Sequence, residues 1–206
     1  MDFMKDPGGI ELRSMEIIET QLPGLARLQA GEKEIVKRVV HTTGDVTIAD
    51  LLRIHPGAVE AGLAAIRAGK TVITDINMLK AGINAKRLAL FGAAARCYIG
   101  DDDVAGEARR LGQTRAMVAM RKAAPEMNGG IVAIGNAPTA LFALGELIDR
   151  GEVTPALIVG TPVGFVGASE SKEMLTQKEV PYITIPGTRG GSAIAAAVVN
   201  ALLYMA

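Results

Sequence analysis

Residues 131–160 read IVAIGNAPTALFALGELIDRGEVTPALIVG. The run Ile131–Ile134 is apolar at every position, as a strand covered on both faces of a parallel sheet must be. Gly135-Asn136-Ala137-Pro138 then turns the chain, and Pro138 suits the first position of a helix. From Thr139 to Arg150 apolar residues recur three or four apart, the spacing of one helix face. Gly151 stands where glycine ends helices in a left-handed conformation. Ala156–Val159 (ALIV) begins a second strand. Strand, helix, strand is a βαβ unit, whose crossover is right-handed.

The same alternation extends outward. Thr71–Asp75 (TVITD) and Tyr182–Ile185 (YITI) read as strands, and Ala95–Ile99 (ARCYI) is a weaker candidate. Helical spacing covers Lys33–Thr42, Ala58–Ala68, Val104–Leu111, Thr114–Ala123, Glu170–Gln177 and Ser192–Met205. Gly44, Gly69 and Gly112 fall at helix ends as Gly151 does. The expectation is one α/β domain over residues 1–206, a three-layer α/β/α arrangement of a mainly parallel sheet. Its first thirty residues read as an irregular or partly helical arm. No low-complexity tract or 20–50-residue repeat interrupts it.

Composition narrows the function. The chain has 206 residues, 49% hydrophobic and 21% charged, enough for a sizeable core without staples. One cysteine, Cys97, excludes an intramolecular disulfide framework, and two histidines argue against an ordinary zinc site. Twenty-two basic residues balance twenty-two acidic ones, so no basic excess points to nucleic acid or an anionic membrane. Zero Trp, three Tyr and four Phe leave few stacking platforms for bases. The opening MDFMKDPGGIELRSMEII is not a signal peptide, having mixed charges and no apolar run. The apolar end, Ala193 to Ala206, is broken by Asn200 and falls short of the about 20 residues that span a bilayer. A cytoplasmic protein is expected.

Ligands of parallel sheets bind beyond the carboxyl ends of the strands. Three turns there open helices: Gly135–Pro138, Gly160–Gly167 running on to Ser171 and Lys172, and Gly187–Ser192 with Arg189. Their N–H groups and helix N-termini could face anions, or the glycines could simply make tight turns. Neither nucleotide-phosphate signature is present. Arg38 and His41, three apart in RVVHTTGD, share a helix face apart from the apolar Ile35, Val36, Val39 and Val40. His41 ends its helix before Gly44, where the dipole favours imidazolium and suits a general acid. A histidine capping terminal carbonyls fits the same spacing. Thr114 reads as an N-cap. Arg115 in the first turn opposes the dipole, so it either answers to a ligand or carboxylate or is solvated. Asp75 after a strand reads as structural rather than as a magnesium ligand. His55, before Pro56, reads as a loop residue. Ser169-Glu170-Ser171-Lys172 reads as a helix cap rather than a serine–lysine nucleophile.

Taken in order, RVVHTTGD, TVITDINMLKAGI, LGQTR, VAIGNAPTALF, TPVGFVGASESKE and GGSAIAAAVVNAL resemble the precorrin-8X methylmutases, which include cobalt-precorrin-8 enzymes. The match runs from about Ile10 to the C-terminus. The resemblance implies a flavodoxin-like fold, a homodimer with active sites at the subunit interface, and an activity. That activity is a 1,5-sigmatropic methyl shift from C-11 to C-12 of a corrin precursor, giving hydrogenobyrinate or cobyrinate. It implies proton transfer by His41, and it maps substrate contacts onto Ser14, Arg38, Thr114 and Arg115. With the glycine turns, the expected substrate contacts also include Gly164, Ser171, Lys172 and Arg189. The substrate's acetates and propionates suit arginines and helix N-termini. Such a shift calls for no cofactor or metal, and none is expected. Departures are the reversed Thr188-Arg189 order, Ala116 in place of a serine, and Met15 where an aromatic is frequent. The alternative is a non-catalytic corrinoid carrier, which has no need of a proton donor at His41.

Overall fold

A computed structural model describes residues 5–206. In chain order the helices are α1 (Pro7–Gln21), α2 (Ala30–Thr43), α3 (Ala58–Arg67), α4 (Asn77–Gly82) and α5 (Ala85–Ala89). They continue as α6 (Asp102–Leu111), α7 (Arg115–Ala123), α8 (Pro138–Asp149), α9 (Ala168–Thr176) and α10 (Ser192–Met205). The strands are β1 (Arg53–Ile54), β2 (Val72–Thr74), β3 (Ala95–Arg96), β4 (Ile131–Ile134), β5 (Leu157–Gly160) and β6 (Tyr182–Thr184).

The strands form one sheet in the order β1-β6-β5-β4-β2-β3. All pairings are parallel except β1 with β6, where Arg53 lies opposite Thr184. The expected α/β/α class therefore holds. Every residue of β2, β4 and β5 is buried, which is why these runs carry no polar alternation. One face of the sheet packs against α2, α3, α4 and α10 through Ile35, Val39, Leu79 and Leu202. The other packs against α7, α8 and α9 through Met120, Leu141, Leu144 and Leu175.

Several boundaries differ from expectation for local reasons. The two-residue β1 shows no period, and the candidate strand Ala95–Ile99 shortens to Ala95–Arg96. The short helices α4 and α5 had no signal long enough to read. The N-terminal arm is mostly helix: Asp6 caps α1 by accepting from Gly9 N–H at 2.7 Å, and Pro7 takes a first-turn position. Glu19 ties α1 to α2 through Lys37 (2.6 Å) and Lys33 (3.2 Å).

α10 is the central helix of its layer, with Ala195, Val198, Val199 and Leu202 all at 0% exposure. Gly62 of α3 allows that approach, since a β-carbon there would stand 2.7 Å from Leu202. Asn200, which breaks the apolar run, accepts from Asn84 N–H (2.9 Å) and donates to the Gly82 carbonyl (2.8 Å). It fastens the α4–α5 corner to α10. No helix among the described residues is long and apolar enough to cross a membrane.

Candidate active site at the carboxyl edge of the sheet

The three glycine turns meet at this edge and interlock. A β-carbon on Gly135 would lie 2.6 Å from Ser192 Cα, and one on Gly190 would overlap the Thr161 carbonyl. Gly164 N–H donates to the Thr188 carbonyl (3.1 Å), and Gly191 N–H to the Thr161 carbonyl (2.8 Å). Glycine here lets one backbone touch another. The first turn commits its amides to Asp75 and not to a ligand, so of its two readings the tight turn is the one that fits. Asp75 accepts from Gly135, Asn136 and Ala137 N–H at 3.1, 2.8 and 2.8 Å. Burial pushes the Asp75 carboxyl up, against the pull of those three N–H groups. Its oxygens are committed to the backbone, so the structural reading of Asp75 stands.

His41 is exposed in the last turn of α2, and Gly44 ends that helix at φ 64°. The terminal carbonyls are served by other groups. Gly44 N–H donates to Val40, and the Thr43 hydroxyl to Val39 at 3.0 Å. The imidazole has no hydrogen bond among the described residues, so the capping role expected as one reading falls to Thr43. Arg38, one turn below, bonds Glu11 at 3.3 Å and lies 4.4 Å from the centre of the Tyr204 ring. Ser14, on the same stretch of α1, donates its hydroxyl to the Ile10 carbonyl at 2.8 Å. A cavity of about 230 Å³ opens beside Arg38 and Thr42 and is floored by Ala193 and Ala196.

On the other face, Thr114 caps α7 by accepting from Met117 N–H, as expected. Its hydroxyl also donates to Thr139 (2.9 Å), which joins the start of α7 to the first turn of α8. Arg115 is exposed and has no ion-pair partner among the described residues. Arg189, also exposed, reaches Thr47 Oγ1 (3.1 Å) and Asp45 Oδ2 (3.5 Å). The Arg189 turn thus touches the segment directly after His41. Two of the expected contact residues lie inside the fold. Ser171 is fully buried and donates to the Ala168 carbonyl (3.0 Å), a local helix bond. Lys172 is 1% exposed and lies beneath the turn, not on its surface. Burial lowers its ammonium to about 8. His55 is a loop residue whose Nδ1 accepts from Gly57 N–H.

Sequence reasoning missed Glu11, Asp45, Thr47, Thr139 and Tyr204. Asp45 had a local signal, as an acid after Gly44 whose carboxylate accepts from Thr47 N–H (2.9 Å). The others act across distant segments.

Comparison with known proteins places the chain among relatives of one kind. The family model for precorrin-8X methylmutase matches residues 9–205. The cobalt-precorrin-8 methylmutase of Priestia megaterium is 46% identical over 200 residues, covering 97% of this chain and 88% of that protein. The precorrin-8X methylmutase of Pseudomonas aeruginosa is 45% identical, covering 98% and 97%. The crystal structure of precorrin-8x methyl mutase from Thermus thermophilus superposes with a TM-score of 0.87 at 38% identity, covering 96% and 95%.

Proposed function

The chain belongs to the precorrin-8X methylmutase family, and from that premise we infer that it is an isomerase of cobalamin biosynthesis. It moves a methyl group from C-11 to C-12 of a corrin precursor. The bond to C-11 breaks as the bond to C-12 forms, and nothing is oxidised or reduced. His41 is the proton donor in this reading, and it takes the proton back after the shift, so that substrate and product are isomers. Protonating the conjugated macrocycle makes the migration terminus electron-poor and stabilises the charge of the transition state. The supporting observation is the exposed imidazole at the end of α2, without a hydrogen bond among the described residues, while Gly44 and Thr43 serve the terminal carbonyls.

The cations at the carboxyl edge of the sheet suit a substrate rich in carboxylates. Arg38 lies one turn below His41, Arg115 at the start of α7 has no ion-pair partner among the described residues, and Arg189 crosses from the last turn to Asp45. A formally neutral chain can hold a polyanion when its cations gather at one edge. Ser14, Thr114 and Gly164 complete the proposed contacts. The enzyme acts as a cytoplasmic homodimer, with the large flat substrate shared between subunits.

The test is a single-turnover reaction with purified precorrin-8X and, separately, cobalt-precorrin-8, followed by absorbance. Relatives named for each substrate stand at 45% and 46% identity, so both belong in the assay. Conversion of either supports the isomerase. Tight binding of both without conversion would replace it with a carrier.

A further inference from the structure

Lys172 lies in the second turn of α9, and its ammonium donates to the Arg189 carbonyl at 2.8 Å. At 1% exposure it is a largest-class buried side chain, and no carboxylate pairs with it among the described residues. Burying an ammonium against a neutral carbonyl is unfavourable, and methionine or leucine would fill that space more cheaply. Packing alone therefore does not account for a lysine here.

The geometry gives it a task. A trans peptide points its carbonyl and its N–H in opposite directions. Drawing the Arg189 carbonyl inward to Lys172 therefore turns the Gly190 N–H away from α9. That N–H makes no hydrogen bond among the described residues. The Thr188 carbonyl is held by Gly164 N–H, and Gly191 N–H by Thr161. The Arg189 side chain then reaches Thr47 and Asp45 beyond the end of the His41 helix. Lys172 is the buried end of a connected line that runs through the turn to the Asp45–Thr47 segment that follows α2.

We propose that Lys172 is a positioning residue for substrate binding: it locks the Arg189–Gly190 peptide so that the Arg189 guanidinium and the Gly190 N–H face the corrinoid's carboxylates. This rests on the methylmutase reading above. Lys172 acts through the turn and does not touch the ligand.

The experiment uses the full-length enzyme with precorrin-8X for kinetics and hydrogenobyrinate for equilibrium titration. Lys172→Met keeps the apolar stem and removes an unpaired buried charge, so the variant should fold, which a melting curve verifies. KM and Kd should rise about 10-fold, the loss of one charge-assisted contact, while kcat stays within about two-fold because His41 is untouched. Lys172→Gln, which keeps a donor, should recover part of the loss. Combined with Arg189→Gln, Lys172→Met should add nothing further, because both act on one turn. Unchanged KM and Kd in Lys172→Met, a fall in kcat alone, or multiplying effects in the double variant would each overturn the proposal. A wild type that neither binds nor converts its corrinoid would instead overturn the functional reading, and this inference with it.

Discussion

Lys172 is buried and His41 is exposed, and the two are tested differently. The Lys172 ammonium titrates at about 8 in the fold against 10.5 for the free group. Between those values the unfolded chain binds the extra proton, so stability from this group rises with pH across the window. Denaturation of wild type and Lys172→Met at pH 7.5 and 10.5 should show the difference between them shift by ~2–3 kcal/mol in favour of wild type. A constant difference would mean the lysine is not desolvated. His41→Ala should keep fold and binding but slow the single turnover roughly 10²–10⁴-fold; a near-normal rate would require another proton source. Arg38→Gln and Arg115→Gln should each weaken hydrogenobyrinate binding by on the order of 10–150-fold, with lysine restoring little. For Arg38 the starting state is not free, since the ligand must compete with Glu11 at 3.3 Å. Unchanged dissociation constants in both would remove the carboxylate contacts and leave the isomerase standing. The sequence showed these candidates through helix spacing, but not their partners. Nothing local in Glu11 or Tyr204 says that it meets Arg38 from a distant segment.

Turns and helices were legible in proportion to their length and period. β4 and α10 fall where the apolar pattern puts them, because a four-residue buried run and a fourteen-residue helix carry their own signal. β1 has two residues and exists only because Thr184 offers it an edge. The glycine turns were read as candidate anion cradles, yet they interlock with one another, and Asp75 occupies the amides of the first. No single-turn motif encodes a contact between turns. That contact has a direct test in Gly190→Ala. The new methyl would meet the carbonyls of Thr161 and Pro162, which are backbone and cannot rotate aside. Overpacking of this kind costs typically about 1–3 kcal/mol, and the displaced turn carries Arg189. The variant should melt lower and bind hydrogenobyrinate more weakly. Gly106→Ala, where a β-carbon meets nothing within 4 Å, should do neither. A Gly190→Ala protein that melts and binds like wild type would mean the turns do not bear on each other in solution.

For the molecule as a whole, the surface beside the site decides how many copies make one site. The alanine-rich helix α10 is largely buried within its own chain and leaves little for a second subunit to cover. A different surface takes its place: Phe165 is 93% exposed and Val166 90%, adjacent at the tip of the turn after β5. Two adjacent exposed apolar side chains beside a candidate site are a surface on which a partner copy could pack. A second subunit would cover them and close the edge over a large flat substrate, as the proposed shared site requires. Light scattering should give twice the 21.5 kDa chain mass, and Phe165→Asp should shift the population to monomer and lose turnover in step. A wild-type monomer with full activity at working concentrations would refute the shared site. A Phe165→Asp protein that stays dimeric but loses hydrogenobyrinate affinity would place the tip over the ligand, and the subunit contact would have to be sought elsewhere.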